Sequence, residues 1–202
     1  ARAVIARAAG SVRATLVLGH GAGGGIQASD LAALARRLPD QGITVVRVEQ
    51  PWRVAGKKVA PQTGTLDRAW TAVLAELAVE GALVVGGRSA GARVACRTAQ
   101  ATGARGVVAL AFPLHPPGRP DRSRADELAN AGVPTLVVQG TRDSFGGPGE
   151  FPAGTELRPV DGADHGFRIP KSAGLPQTAA LAAVATDVAA WIDRLGRPAG
   201  KR

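Results

Sequence analysis

The chain of 202 residues has no methionine, no tyrosine and one cysteine, Cys96, and only 3% of its residues are aromatic. A single cysteine rules out an intramolecular disulfide and is compatible with a reducing compartment. The three histidines, His20, His115 and His165, lack the H-E-x-x-H and paired-cysteine spacings of zinc sites, so no metal is expected. No apolar run is long enough to span a bilayer and no secretory core is visible, which gives a cytoplasmic expectation without a membrane partner. Methionine is absent even at position 1, which points to a trimmed or processed start and leaves room for a lost targeting segment. The 25 Lys and Arg residues against 16 Asp and Glu leave a net charge of +9. Such a balance ordinarily suits nucleic acid, but the basic residues are spread in ones and twos and no aromatic stacking platform is visible. No nucleic-acid partner is expected. The charge reads as a solvated, arginine-biased surface that favours anionic substrates by long-range attraction.

What is present is alternation. Strand-like apolar runs fall near 14–19, 43–48, 82–86, 106–112, 134–139 and 156–160, and helical patterns near 29–38, 65–79, 90–102, 123–130 and 178–195. One further short strand is expected near Val4 and Ile5. This order predicts an α/β fold with a mostly parallel, doubly wound sheet of six to seven strands covered on both faces. The length suits one domain over 1–197, with 198–202 as a basic frayed tail. No stretch remains for a cap domain. The longest candidate insert, Leu114 to Ala125, contains Pro116, Pro117 and Pro120 and reads as a stiff loop. In the last helix Leu181, Val184, Val188, Ile192 and Leu195 mark a buried face, as Leu66, Trp70, Val73 and Leu77 do in the second. Cys96 is expected to pack its helix against the sheet.

The most informative stretch is Gly87-Arg88-Ser89-Ala90-Gly91, which joins the apolar run Ala82 to Val85 to a helical pattern. A serine on so tight a strand-to-helix turn is pushed out at the sheet's rim, and small flanking residues are needed to keep side chains off the neighbouring strand. A hydroxyl is a weak nucleophile near neutral pH, so it needs a base and an acid that orients the base. His165 lies in a glycine-flanked loop after the extended stretch 156–160. Asp143 follows the strand Thr135 to Gln139 through the turn Gly140-Thr141-Arg142. Each falls just past the end of a predicted strand. Asp164 is a poorer acid, because a carboxylate next to the histidine in sequence points away from its ring, and Asp121 is a reserve.

Developing negative charge on an oxygen needs two backbone donors. Ala90, at the start of the helix, supplies one. The other is assigned to Ala22, with Gly23 as fallback, in the loop Gly19-His20-Gly21-Ala22-Gly23-Gly24-Gly25, whose glycines let the backbone approach a ligand. His20 is read as a brace for this loop. Gly21, Gly23 and Arg88 join Trp52 and His115 as substrate-contacting candidates. For Trp52 simple packing is the competing role, and for His115 a structural one.

These motifs resemble the α/β-hydrolase superfamily, in its dienelactone-hydrolase-like branch, over nearly the whole length. Phe112-Pro113-Leu114-His115-Pro116-Pro117-Gly118 and Gly140-Thr141-Arg142-Asp143 resemble a subgroup of small bacterial hydrolases with related domains in animal proteins, including a subunit of a chromatin-modifying complex. The order Ser89, Asp143, His165 is the family's order. The resemblance implies ester or thioester hydrolysis of a small molecule without a cofactor. Dienelactone hydrolases carry a cysteine where this chain has Ser89, so lactone specificity does not transfer.

Two rival readings come from other classes. Animal relatives imply that the fold can also serve as a non-catalytic interaction module. Gly19, Gly21 and Gly24 fit G-x-G-x-x-G, with Glu49 placed as a ribose-binding acid of a dinucleotide-dependent oxidoreductase. That second reading leaves Ser89, Asp143 and His165 unexplained.

Overall fold

The structure, a computed structural model, describes residues 1–196. The expected tail at 198–202 lies outside the described residues.

The chain runs β1 (Arg2–Ala6), β2 (Ala14–Gly19), α1 (Ser29–Arg37), β3 (Ile43–Glu49), α2 (Pro51–Val54) and α3 (Thr63–Glu76). It continues through β4 (Ala82–Arg88), α4 (Ala90–Thr98), β5 (Gly106–Leu110), α5 (Ala125–Ala129), β6 (Thr135–Gly140), β7 (Glu156–Val160) and α6 (Gln177–Leu195). Among the described residues, seven strands form one sheet in the order β1-β3-β2-β4-β5-β6-β7. Only β1 is antiparallel, pairing Arg2 with Glu49 and Ala6 with Val45. Six strands therefore present their C-terminal ends on one rim. Edge strand β7 carries Pro159, which has no backbone N–H to donate.

Alternation along each buried strand sends successive side chains to opposite faces. Leu16, Leu18, Val108, Leu110, Leu136 and Val138 pack beneath α1 and α6, against Leu31, Leu34, Val184 and Val188. Val17, Val85, Val107, Ala109 and Val137 face the other way, against Trp70, Leu74, Val94 and Cys96 of α3 and α4. Trp70 is thus a core residue, and burial pushes the Cys96 thiol up to about 12.

Some boundaries differ from the sequence expectation. The fourth helix stops at Thr98 rather than 102, because Gly103 reverses the chain at φ 68° and the Ala104 N–H closes back on the Ala99 carbonyl at 3.0 Å. The second predicted helix ends at Glu76, where Leu77 is already extended. The helix expected near 123–130 shrinks to 125–129, with the Ser123 hydroxyl accepting from the Ala125 N–H. The short helix at Pro51–Val54 was not anticipated: Pro51 fixes its start, but four residues give no period to read.

Candidate active site

The turn between β4 and α4 is strained. Ser89 sits at φ 54° and ψ −113°, a region few side chains adopt. The Gly19 carbonyl oxygen lies so close that a Cβ on either Gly87 or Gly91 would collide with it. The two glycines are therefore required by the approach of β2, as the sequence argument supposed. The Ser89 N–H donates to the Leu110 carbonyl at 3.0 Å, fixing the turn to β5.

His165 Nε2 lies 3.0 Å from Ser89 Oγ. The other ring nitrogen, Nδ1, lies 2.8 Å from Oδ2 and 3.0 Å from Oδ1 of Asp143. Three side chains from distant parts of the chain thus form one continuous hydrogen-bonded relay on the C-terminal rim. Asp143 is buried, and its remaining acceptor capacity is used: Phe145 N–H donates to Oδ1 at 2.8 Å and the Gln139 amide to Oδ2 at 2.9 Å. The Phe145 ring stacks on the imidazole at 4.2 Å between centroids. The Arg142 N–H donates to the Ala163 carbonyl at 2.9 Å, tying the acid turn to the histidine loop. Asp164 shapes that loop by accepting from the N–H groups of Gly166 and Arg168 at 2.7 and 2.9 Å. Asp121 pairs with Arg119 on the surface.

In the glycine-rich loop, a Cβ on Gly21 would lie 3.4 Å from the Ser89 Cβ, so this segment runs against the serine. Gly23 has open space around it. Ala22 and Ala90 line one small hollow of about 10 Å³, together with Gln50 and Trp52. His20 braces the loop: Nδ1–H donates to the Gly21 carbonyl at 2.8 Å and Nε2 accepts from the Gln50 N–H at 3.2 Å. The second bond needs the neutral ring, and burial holds its pKa below the ordinary value despite the Gly21 carbonyl. Trp52 is buried against His20, with centroids 5.7 Å apart, so it packs as well as lining the hollow. Larger hollows, about 500 Å³ beside Arg36 and Arg37 and about 420 Å³ between α5 and β7, include none of the relay residues in their walls.

Two substrate-contacting candidates have other partners. The Arg88 guanidinium donates to the His165 carbonyl at 2.9 Å. His115 places Nδ1 at 2.9 Å from the Pro116 carbonyl and Nε2 at 3.0 Å from Glu150, clamping its proline-rich loop to the segment after Asp143. These bonds raise its pKa, the carbonyl contributing most. Glu49 forms an ion pair with Arg2 at 2.7 Å, and Gly19 serves the approach of β2 to the serine turn, so the apparent dinucleotide pattern has structural uses here.

Gln139 and Phe145 were missed from sequence. Gln139 left a signal, as a polar residue near the end of an otherwise apolar strand. Phe145 left none, because a phenylalanine in a loop is ordinary.

The fold resembles solved bacterial structures at low identity. An alpha-beta serine hydrolase homologue from Coxiella burnetii is 17% identical, with a TM-score of 0.66 over 95% of this chain and 89% of that one. The esterase domain of a Rhodothermus marinus protein is 16% identical, with a TM-score of 0.67 over 95% and 92%. A serine hydrolase without a lid from Xanthomonas campestris is 20% identical, with a TM-score of 0.63 over 98% and 90%. A family model described as an alpha/beta hydrolase domain matches residues 12–193. With that match spanning nearly all of a sheet that carries its serine turn at the end of β4, the chain belongs to the alpha/beta hydrolase family.

Proposed function

We propose that this hydrolase is a serine esterase that cleaves ester-type bonds, thioesters included, by two-step acyl transfer. The observation that carries the reading is the relay itself, Ser89 Oγ to His165 Nε2 at 3.0 Å and Nδ1 to Asp143 at 2.8 Å. Ser89 attacks the substrate carbonyl while His165 takes the hydroxyl proton, and Asp143 holds the Nδ1–H tautomer and stabilises the imidazolium. The N–H groups of Ala90 and Ala22 receive the oxyanion. Collapse of the tetrahedral intermediate expels the alcohol or thiol, which leaves with the proton from His165. His165 then draws a proton from water as the water attacks the acyl-serine. The carboxylic acid departs and Ser89 recovers its proton.

The hollow touching both proposed donors holds only about 10 Å³, room for little more than one water-sized group. Small or solvent-exposed acyl groups suit such a site, bordered by the loops at 20–26, 50–60 and 112–122.

Labelling with a fluorophosphonate tests the reading directly. Ser89 is expected to be modified stoichiometrically, and Ser89→Ala to abolish both labelling and hydrolysis of a short-chain nitrophenyl ester. A folded wild-type protein that neither labels nor turns over esters or thioesters would return the interaction-module reading.

A further inference from the structure

Arg88 is the last residue of β4 and precedes Ser89, yet its side chain reaches two other segments. Nη2 donates to the His165 carbonyl at 2.9 Å, and Nε faces Asp30 Oδ2 at 3.7 Å. Asp30 lies in the first turn of α1, the helix that follows the glycine-rich loop, and is 1% exposed. Among the described residues no side chain hydrogen-bonds either of its carboxylate oxygens or Arg88 Nε, and only the backbone N–H groups of Leu31 and of Asp30 itself favour its charged form besides the nearby charges. Burial raises the Asp30 pKa, and Arg88 is the strongest charge opposing that rise, with His165 acting more weakly in the same sense. A buried carboxylate held only by its own helix turn and by a guanidinium 3.7 Å away disfavours folding, because its desolvation is poorly repaid. Its presence beside the relay points to a use there.

We propose that Arg88 is a positioning residue for His165, and that Asp30 is the counter-charge that keeps the guanidinium aimed at the His165 carbonyl. The inference rests on the esterase reading for its catalytic consequence. The guanidinium is a rigid fork, so one edge faces Asp30 while another N–H holds the main chain from which the imidazole hangs. Strand β4 then presents the serine and, through the adjacent residue, fixes the base that serves it. An ammonium group has no such fork, so lysine at position 88 keeps the charge but not the geometry.

The pair also sets the local field. Four charged or titratable groups bear on His165: Asp143 at Nδ1, Asp164 within its own turn, Arg88 at its carbonyl and Asp30 behind Arg88. Asp30→Asn leaves the Arg88 charge uncompensated, which disfavours the imidazolium. Arg88→Met leaves the Asp30 charge, which favours it. Titration of the His165 ring by NMR in the full-length protein is therefore expected to move to lower pH in Asp30→Asn and to higher pH in Arg88→Met. Asp30→Asn is also expected to melt no lower than wild type near neutral pH, since it removes a buried charge. Its kcat on nitrophenyl acetate is expected to fall roughly 10- to 100-fold, with KM little changed, and Arg88→Lys, which keeps the charge without the fork, is expected to lose kcat as well.

Coincident ring titrations in the two variants, or shifts in the same direction, would overturn the proposal, as would wild-type kcat in Asp30→Asn. A loss of melting temperature and activity together in that variant would reduce the pair to a structural salt bridge and equally overturn it. Opposite shifts in a protein that hydrolyses nothing would uphold Arg88 and Asp30 as the charge pair that faces His165 and sink the esterase reading instead.

Discussion

Gln139 donates its side-chain amide to Oδ2 of Asp143 at 2.9 Å, and the same nitrogen lies 2.8 Å from the Gly146 carbonyl and 3.3 Å from that of Phe112. The penultimate residue of β6 thus holds in place the carboxylate and the loop that follows it. Gln139→Leu keeps the volume and removes the donor, leaving buried acceptors unpaired. A loss of about 1–3 kcal/mol in urea unfolding is expected, together with reduced ester turnover. Unchanged stability would show that the amide carries no such load.

Asp143→Asn preserves the shape of the acid and removes its charge, so His165 no longer has a carboxylate fixing Nδ1–H. kcat on a nitrophenyl ester is expected to drop by roughly 10⁴ while the melting curve stays cooperative. A loss of less than tenfold would assign the orienting role elsewhere.

Gly91→Ala forces a methyl group against the Gly19 carbonyl oxygen. Backbone on both sides leaves nothing soft to yield, so a destabilisation of about 3 kcal/mol is expected, read as a lowered denaturant midpoint. Gly23→Ala, where nothing lies within contact distance, serves as the control and is expected to be close to neutral in stability.

The His115 and Glu150 clamp has a definite pH dependence. His115 is raised above its ordinary 6.5, so its contribution to stability is complete below that value and is lost as pH climbs through the raised pKa. Glu150 is lowered from 4.5, chiefly by the Gly147 N–H and then by His115, so its contribution holds above 4.5 and is lost as pH falls through the depressed pKa. The clamp is strongest between those ordinary values. Glu150→Gln is expected to lower the melting temperature more near pH ~5.5 than near pH ~9. Equal losses at both would refute the coupling.

Cys96 is buried and its thiol stays protonated well above neutrality. Alkylating reagents are expected to leave the native protein unmodified at neutral pH and to label it fully once unfolded. Labelling as fast as that of a free thiol would show that α4 opens from the sheet.

Much of this was legible in the chain because the signals were local and redundant. β2 falls at its predicted limits because it is a nearly unbroken apolar run, and β7 because the turns at Gly154 and Gly162 bound it on both sides. Ser89, Asp143 and His165 could be picked out because each follows a strand end, and parallel strands bring such ends to one rim. Contacts between those ends were not legible. That Arg88 turns to His165 and His115 to Glu150, rather than toward open solvent, depends on how loops pack across the rim. Helix ends were overestimated where a hydroxyl or a glycine stopped the helix before its apolar period did.

Pro159 in β7 has a consequence beyond this molecule's own site. It interrupts the row of donors along one margin of the sheet, so a second polypeptide aligning there would find a broken ladder. Association by that margin, including the strand-by-strand stacking that precedes aggregation, is thereby disfavoured.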